Sequence, residues 1–285
     1  MASGRTITIG GDITVPVVGQ GTWRMGEDAD DVPAEVRALR AGLDLGLTLI
    51  DTAEMYGEGG AERVVGEAVA GRRDDAVIVS KVYPHNAGQR SARRSCENSL
   101  RRLGTDHLDL YLLHWRGNIP LAETVEVMED LLAEGKIRNW GVSNLDVDDM
   151  DELWSLPDGT RCATDQVLYH AASRGAELRL LPWCRAHDVP VMAYSPIAQA
   201  GRLRGDLLAS PVINEIASGR GLTPAQVALA WVIRDSGVLA IPKAVQPEHV
   251  QQNAATLDVR LSDAEIAAID DAFPPPNPDE PLDIV

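Results

Sequence analysis

The sequence predicts an α/β fold, a (β/α)8 or TIM barrel, with an N-terminal β-hairpin and a proline-rich C-terminal tail. Eight short apolar runs alternate with segments of helical apolar spacing, a rhythm typical of βαβ units and a parallel sheet. No GxGxxG motif follows the first run, although Gly19-Gln20-Gly21 approaches one, and this disfavours a Rossmann domain. Eight strands in regular alternation therefore favour a closed barrel.

Each element has its own signal in the sequence. The hairpin is predicted from strands at 6–9 and 13–15 around a Gly-Gly-Asp turn at 10–12. Barrel strands are predicted at 17–20, 47–51, 76–80, 108–113, 137–142, 163–167, 189–194 and 238–241. Helices are predicted at 32–45, 61–70, 90–103, 121–133, 147–156, 178–187 and 224–235. The prolines at 274–278 exclude helix or central strand there. No linker divides the chain, so we expect a single domain over residues 1–285.

Composition and charge exclude several function classes. The formal net charge of the 285 residues is −17, which opposes binding to nucleic acid or to an anionic membrane. No run approaches the length of a membrane span, and no signal sequence is visible, so a cytoplasmic protein is expected. The three cysteines form no CxxC pair and the histidines lack ligand partners, so neither a disulfide nor a metal site is predicted. Because no heptad pattern is present, we expect a monomer.

Four polar residues follow three successive predicted strands. Asp51 ends the second strand and Tyr56 lies in the loop after it, Lys81 ends the third strand, and His114 ends the fourth. In a (β/α)8 barrel the carboxyl ends of the strands open on one mouth, so these side chains are expected to converge. Lys81 is one of only three lysines in a chain that otherwise uses arginine, which indicates a specific need for an ammonium there.

These four residue types suit the reduction of a carbonyl group. Tyrosine has a pKa near 10, and a neighbouring ammonium is expected to lower that pKa and make Tyr56 a general acid. Asp51 would hold Lys81 charged, and His114 would orient the carbonyl oxygen or assist the proton transfer. Taken singly, Asp51 could be a helix cap, Tyr56 a packed loop aromatic and His114 an interior histidine. Only the four together favour catalysis.

At these residues the sequence resembles the aldo-keto reductases, nearly from end to end. The resemblance is carried in order by DTAEMYGEGGAERVVGEA, SKVYP, YLLHW, GKIRNWGVSN, DQVLYH, MAYSPI and IPKAVQPEHVQQN. Within the family it is greatest for the bacterial methylglyoxal-reductase type, in VGQGTWRMGEDAD, ATDQVLYH and SPIAQAGRLR. It implies catalysis by Asp51, Tyr56, Lys81 and His114, with NADPH as cofactor and a small carbonyl compound as substrate.

The resemblance also implies the remaining binding roles. Trp23, Tyr83, His114 and Trp115 would line the substrate pocket. Contacts with the cofactor are implied for Gly21, Thr22, Trp23, Asp51, Ser143, Asn144, Gln166, Tyr194, Ser195, Pro196, Ile197, Gln199, Gly201, Arg202, Lys243, Ala244, His249 and Asn253. Within that set, Lys243 would meet the 2′-phosphate and Tyr194 would stack on the nicotinamide ring.

Two residues depart from the family pattern around the 2′-phosphate. Ala244 and His249 stand where many NADPH-dependent members have serine and arginine. Histidine is mostly neutral at pH 7, so the site lacks a permanent bidentate cation. Lys243 and a helix start near Pro247 would still favour an anion. NADPH is therefore expected, with NADH as the alternative.

The expected activity is the NADPH-dependent reduction of small aldehydes or α-oxoaldehydes, with Tyr56 as the general acid. Reduction of diketo-sugars, or oxidation of an alcohol by the same four residues, is an alternative within the same chemistry. An alternative from another class is an NADP-sensing regulatory subunit without significant turnover. Steady turnover of any carbonyl compound distinguishes an enzyme from such a sensor.

Overall fold

A computed structural model describes residues 5–198, 206–277 and 282–284. The chain opens with strands β1 (Thr6–Ile9) and β2 (Ile13–Pro16), which pair antiparallel and confirm the predicted hairpin. Asn139, at the start of a barrel strand, donates a hydrogen bond from its side chain to Asp12 in the hairpin turn, at 2.9 Å. The hairpin therefore lies at the amino-terminal end of the barrel, away from the predicted site.

Eight parallel strands form the barrel, and they neighbour one another in sequence order. They are β3 (Gln20–Gly21), β4 (Leu49–Asp51), β5 (Val77–Val82), β6 (Leu108–Leu113), β7 (Ile137–Ser143), β8 (Asp165–Leu168), β9 (Val191–Tyr194) and β10 (Val238–Ala240). The first and last strands meet through hydrogen bonds from Gly19 N to Ala240 O (2.8 Å) and from Ala240 N to Val17 O (2.9 Å). The predicted (β/α)8 barrel is confirmed, and all eight predicted strands are present, with the predicted ends at 108–113 and shifted ends elsewhere.

The helices surround this sheet. They are α1 (Val32–Asp44), α2 (Gly60–Val69), α3 (Gln89–Leu103), α4 (Leu121–Ala133), α5 (Val147–Ser155), α6 (Leu180–Ala186), α7 (Pro211–Arg220), α8 (Pro224–Val232), α9 (Pro247–Ala255) and α10 (Asp263–Ala272). Among these, α7 and α10 were not predicted. The helix predicted at 178–187 is shorter, because a 3-10 turn at Gly175–Glu177 precedes it.

The core lies inside the barrel and between its strands and helices, and it is mainly aliphatic. Every residue of β6 is buried, as expected for a parallel strand that is covered on both faces. Within the described part of the chain, no helix is long and apolar enough to cross a membrane. The proline-rich segment has neither helix nor strand over 274–277, and Pro278 lies outside the described residues.

Candidate active site

The carboxyl ends of three neighbouring strands bring the four predicted catalytic residues together. Asp51 is the last residue of β4, Lys81 is the penultimate residue of β5, and His114 directly follows β6. Tyr56 begins the 3-10 turn Tyr56–Gly59 in the loop after β4. The convergence that the strand-end rule predicts is thus present in the structure.

Lys81 lies at the centre of this group and has no exposed surface. Its Nζ donates to Asp51 Oδ2 at 2.7 Å, to the Thr52 carbonyl at 2.9 Å and to the Tyr56 hydroxyl at 3.1 Å. An ammonium has three protons, so all of them are used. Because the Tyr56 oxygen accepts from Lys81, its own proton is free to point elsewhere.

The environment keeps both Lys81 and Tyr56 protonated. Burial lowers the pKa of Lys81, but Asp51 and Tyr56 together raise it further, and the net direction is upward. Burial raises the pKa of Tyr56, and the Lys81 ammonium opposes this without cancelling it. The sequence expectation that Lys81 brings the Tyr56 pKa below its usual value is therefore wrong, because burial outweighs the charge.

Asp51 and His114 lie on either side of the Lys81–Tyr56 pair, and burial shifts their pKa values in opposite directions. Burial raises the pKa of the Asp51 carboxyl, and hydrogen bonds from Lys81 and from Gln166 Nε2 (2.7 Å) oppose the shift. Burial and the Lys81 charge lower the pKa of His114 to about 2, so the imidazole is neutral at physiological pH. The His114 ring lies edge-on to the Tyr56 ring, with centroids 5.7 Å apart. A neutral imidazole can donate a hydrogen bond, but it cannot serve as an acid at pH 7.

A second polar layer comes from β7, β8 and β9. Ser143 Oγ donates to the Gln166 carbonyl at 2.7 Å, and the Asn144 amide donates to Ser143 Oγ at 3.0 Å and to the His114 carbonyl at 3.2 Å. The Tyr194 hydroxyl donates to Asn144 Oδ1 at 2.9 Å. Asn144 has a φ of 60°, which is left-handed backbone that such a residue adopts at some cost. These bonds fix the side chains on one wall of the mouth.

A cavity of about 600 Å³ opens at this end of the barrel. Asp51, Tyr56 and His114 line this cavity. Lys81 does not, because it is fully buried behind them. The described residues that line it are Gly21, Thr22, Trp23, Arg24, Asp51, Met55, Tyr56, His114, Trp115, Ser143, Asn144, Gln166, Tyr194, Ser195, Pro196, Ile197, Ala198, Ile241, Pro242, Lys243 and Ile284. A cavity of this size is in the range of small-molecule sites.

Some predicted site residues lie elsewhere. Tyr83 contacts Trp115 edge-on, with ring centroids 5.4 Å apart, and stands behind that side chain rather than among the described lining residues. Three predicted cofactor residues, Ala244, His249 and Asn253, are on or just before α9, beyond the described lining of the cavity. Gln199, Gly201 and Arg202 fall outside the described residues.

The structure also adds residues that sequence reasoning did not single out. Arg24 and Met55 line the cavity, each next to a predicted site residue, and Ile284 reaches it from the C-terminal segment. Ile284 is 59% exposed, unusual for a large apolar side chain. Proximity to Trp23 and Tyr56 in the sequence could have pointed to the first two. Nothing in the sequence places residue 284 at the mouth.

Comparison with known proteins agrees with this geometry. The aldo/keto reductase family model matches residues 17–273. The chain is 62% identical over 281 residues to the methylglyoxal reductase YeaE of Escherichia coli (strain K12), and this match covers 99% of each protein. It is 33% identical over 284 residues to the glyoxal reductase of Bacillus subtilis (strain 168), covering 97% of each.

A solved structure is similar over the whole chain. An aldo-keto reductase from Klebsiella pneumoniae, crystallised in complex with NADPH, superposes with a TM-score of 0.97 and 61% identity, covering 100% of both chains. Family match, sequence identity and fold point to one conclusion. The chain belongs to the aldo/keto reductase family.

Proposed function

We propose that this protein reduces small aldehydes or α-oxoaldehydes of the methylglyoxal kind to alcohols, with NADPH as the hydride donor. One observation carries the proposal: the Tyr56 hydroxyl, in the wall of an open cavity, accepts a hydrogen bond at 3.1 Å from a fully buried Lys81 that Asp51 holds. The names of the E. coli and B. subtilis relatives, a methylglyoxal and a glyoxal reductase, support the substrate class.

The residues of the cavity fit a nicotinamide dinucleotide phosphate. Arg24 and Lys243 are exposed cations in the lining, and neither makes an ion pair with another described residue. The first turn of α9 begins at Pro247, four residues after Lys243, and a helix N-terminus favours an anion. The complexes of K. pneumoniae aldo-keto reductases with NADPH and NADP support the same cofactor. Neither Ala244 nor His249 adds a permanent cation beside the 2′-phosphate. The preference for NADPH over NADH is therefore a quantity to measure.

Each catalytic side chain has a distinct part in this proposal. Bound NADPH supplies the hydride to the carbonyl carbon. Tyr56 donates its proton to the carbonyl oxygen, which it can do because its pKa keeps it protonated at neutral pH. Lys81 stabilises the phenolate that remains, and Asp51 keeps Lys81 charged and oriented. Neutral His114 donates a hydrogen bond that orients the carbonyl oxygen.

The substrate end of the cavity favours small compounds with an apolar group. Trp23, Met55, Trp115 and Ile284 supply large apolar side chains to the lining of the cavity that also contains Tyr56. Trp23 is 38% exposed, so it can contact a ligand that enters from solvent. In the same lining, Tyr56 and His114 are the polar groups that would hold the carbonyl oxygen.

The test is a panel of carbonyl compounds with NADPH and NADH side by side. We expect steady NADPH oxidation with methylglyoxal and with phenylglyoxal, and slower turnover with NADH. Tight NADPH binding without turnover of any carbonyl compound would contradict the proposal and indicate a sensing subunit. A higher kcat/KM with a diketo-sugar than with methylglyoxal would change the proposed substrate class to diketo-sugars.

We also propose that the chain is a single domain that acts as a cytoplasmic monomer on small molecules. The three cysteines are free and buried, so the described fold contains no disulfide that would need an oxidising compartment. Light scattering coupled to size-exclusion chromatography tests the monomer, and a mass near twice 30.7 kDa would contradict it.

A further inference from the structure

Glu54 has a half-buried carboxylate between two catalytic candidates, and the proposed mechanism does not use it. It lies in the loop that follows β4, three residues after Asp51 and two before Tyr56. Its backbone N–H donates to the Lys81 carbonyl at 3.4 Å, so this loop continues alongside β5. The position of Glu54 is therefore set by the same strands that place the catalytic group.

The Glu54 side chain accepts hydrogen bonds from the segment that follows β5. Its Oε1 accepts a hydrogen bond from the Tyr83 backbone N–H at 2.7 Å and one from Asn86 Nδ2 at 3.2 Å. Tyr83 directly follows β5, and Asn86 closes the 3-10 turn Pro84–Asn86, so the carboxylate fastens both ends of this turn. Since hydrogen bonds to a charged acceptor are stronger than neutral ones, the carboxylate is a firm anchor.

That turn supports the tryptophan wall of the cavity. The Tyr83 ring lies edge-on to Trp115 at 5.4 Å between centroids, and Trp115 lines the cavity beside His114. The chain just after Trp115 also packs against this turn, because a Cβ added at Gly117 would lie 2.7 Å from Pro84 Cβ. We therefore expect a shift of the turn at 84–86 to displace Trp115.

We propose that Glu54 is a positioning residue. By holding Tyr83 and the turn at 84–86 in place, it fixes the position of Trp115 in the wall of the cavity. It does not touch the carbonyl group. Its effect is on the fit of the substituent that a carbonyl compound carries, and it is largest for an aromatic substituent. This inference rests on the proposed function for its kinetic consequence, but the displacement of Trp115 can be measured without turnover.

The kinetic test compares Glu54→Ala, Glu54→Gln and the control Glu58→Gln. Glu58 lies on the same loop, is exposed, and its carboxylate accepts no hydrogen bond from the described residues. Loss of both hydrogen bonds in Glu54→Ala should raise KM for phenylglyoxal about tenfold while kcat stays within about twofold of wild type. Glu54→Gln keeps one acceptor oxygen and should recover most of the affinity. The control should match wild type, and the pH dependence of kcat should be the same in all of them.

The structural test labels the protein with 5-fluorotryptophan and assigns the Trp115 resonance by its loss in Trp115→Phe. We expect this ¹⁹F resonance to shift or broaden in Glu54→Ala, to return toward its wild-type position in Glu54→Gln, and to be unchanged in Glu58→Gln. If Glu54→Ala does not fold, Asn86→Ala, which removes one of the two hydrogen bonds to the Glu54 carboxylate, should displace the same resonance.

Two results would overturn the inference. One is a Trp115 resonance that is unchanged in Glu54→Ala or, if that variant does not fold, in Asn86→Ala. The other is a fall in kcat with KM unchanged, since this would place Glu54 in the proton-transfer step instead. A wild-type protein that turns over no carbonyl compound would contradict the proposed function, and the ¹⁹F shift would still decide the role of Glu54.

Discussion

Lys81 has three acceptors for its three protons and no exposed surface. A buried ammonium is costly unless it is fully paired, and here a carboxylate, a carbonyl and a phenol oxygen share it. This explains why a chain with 23 arginines keeps a lysine at the end of β5. A guanidinium is planar and larger, and it could not direct three donors at this compact set of oxygens.

His114 provides a prediction at the residue scale. Burial and the Lys81 charge lower its pKa to about 2, so the folded protein holds this ring neutral. The unfolded chain binds a proton there below about pH 6.5, so the contribution of His114 to stability is present above pH 6.5 and is lost as the pH falls. Imidazole ¹⁵N shifts should show a neutral His114 from pH 8 down to pH 4. A ring that titrates near pH 6.5 would contradict this and allow His114 to act as an acid.

At the element scale, the strand-end rule accounts for most of the candidate site. Asp51, Lys81 and His114 follow three adjacent strands, so the parallel topology alone makes them neighbours. The positioning role of Glu54 could not be predicted from the sequence, because its partners Tyr83 and Asn86 belong to an irregular turn. The sequence also could not reveal that burial outweighs Lys81 in setting the pKa of Tyr56.

The helices differ in how readily the sequence predicts them. The start of α8 is evident from Thr223-Pro224, and the structure has the full capping box there. Ser262 and Glu265 form an equivalent capping box at α10, so the sequence also contains a start signal for this helix. By contrast, α7 buries only Ile213 and Ala217, so its apolar periodicity is weak.

Strand β8 carries a prediction about stability. Asp165 is fully buried, and burial raises the pKa of its carboxyl well above the usual value, although the backbone N–H groups of Leu145 and Gln166 act in the opposite direction. The unfolded chain releases this proton near pH 4, so the contribution is present below that pH and is lost as the pH rises toward the folded pKa. Asp165→Asn should therefore raise the free energy of unfolding at pH 8 by about 1–3 kcal/mol.

Urea unfolding at pH 8 and at pH 5 measures this effect. The gain in Asp165→Asn should shrink at pH 5, and the exposed Asp30→Asn should change little at either pH. A variant that is less stable than wild type at pH 8 would show that the Asp165 carboxylate is paired in the folded protein.

For the whole molecule, one of the contacts that close the barrel also lies in the wall of the cavity. Gly21 N donates to the Pro242 carbonyl at 3.1 Å, where β3 meets the segment after β10. A Cβ at Gly21 would lie 2.6 Å from the Ile241 backbone oxygen, so no larger residue fits without opening this seam. Because Gly21 and Lys243 both line the cavity, the seam belongs to the proposed cofactor site.

Gly21→Ala should accordingly weaken both stability and cofactor binding. We expect a loss of about 1–3 kcal/mol in the free energy of unfolding and a higher Kd for NADPH, measured by urea unfolding and fluorescence quenching. Gly219→Ala is the control, because a Cβ in that part of α7 meets no atom within 4 Å. Unchanged NADPH affinity in Gly21→Ala would show that the seam at Gly21 is not part of the cofactor site.

The central claim is that Tyr56 donates the proton to the carbonyl oxygen. Its most direct test is the turnover of methylglyoxal by Tyr56→Phe, with NADPH binding measured in the same preparation. The account predicts a fall in kcat of at least about 10²-fold, since a general acid contributes 10²–10⁴, with the Kd for NADPH close to that of wild type. Turnover near the wild-type rate in a variant that binds NADPH normally would contradict it.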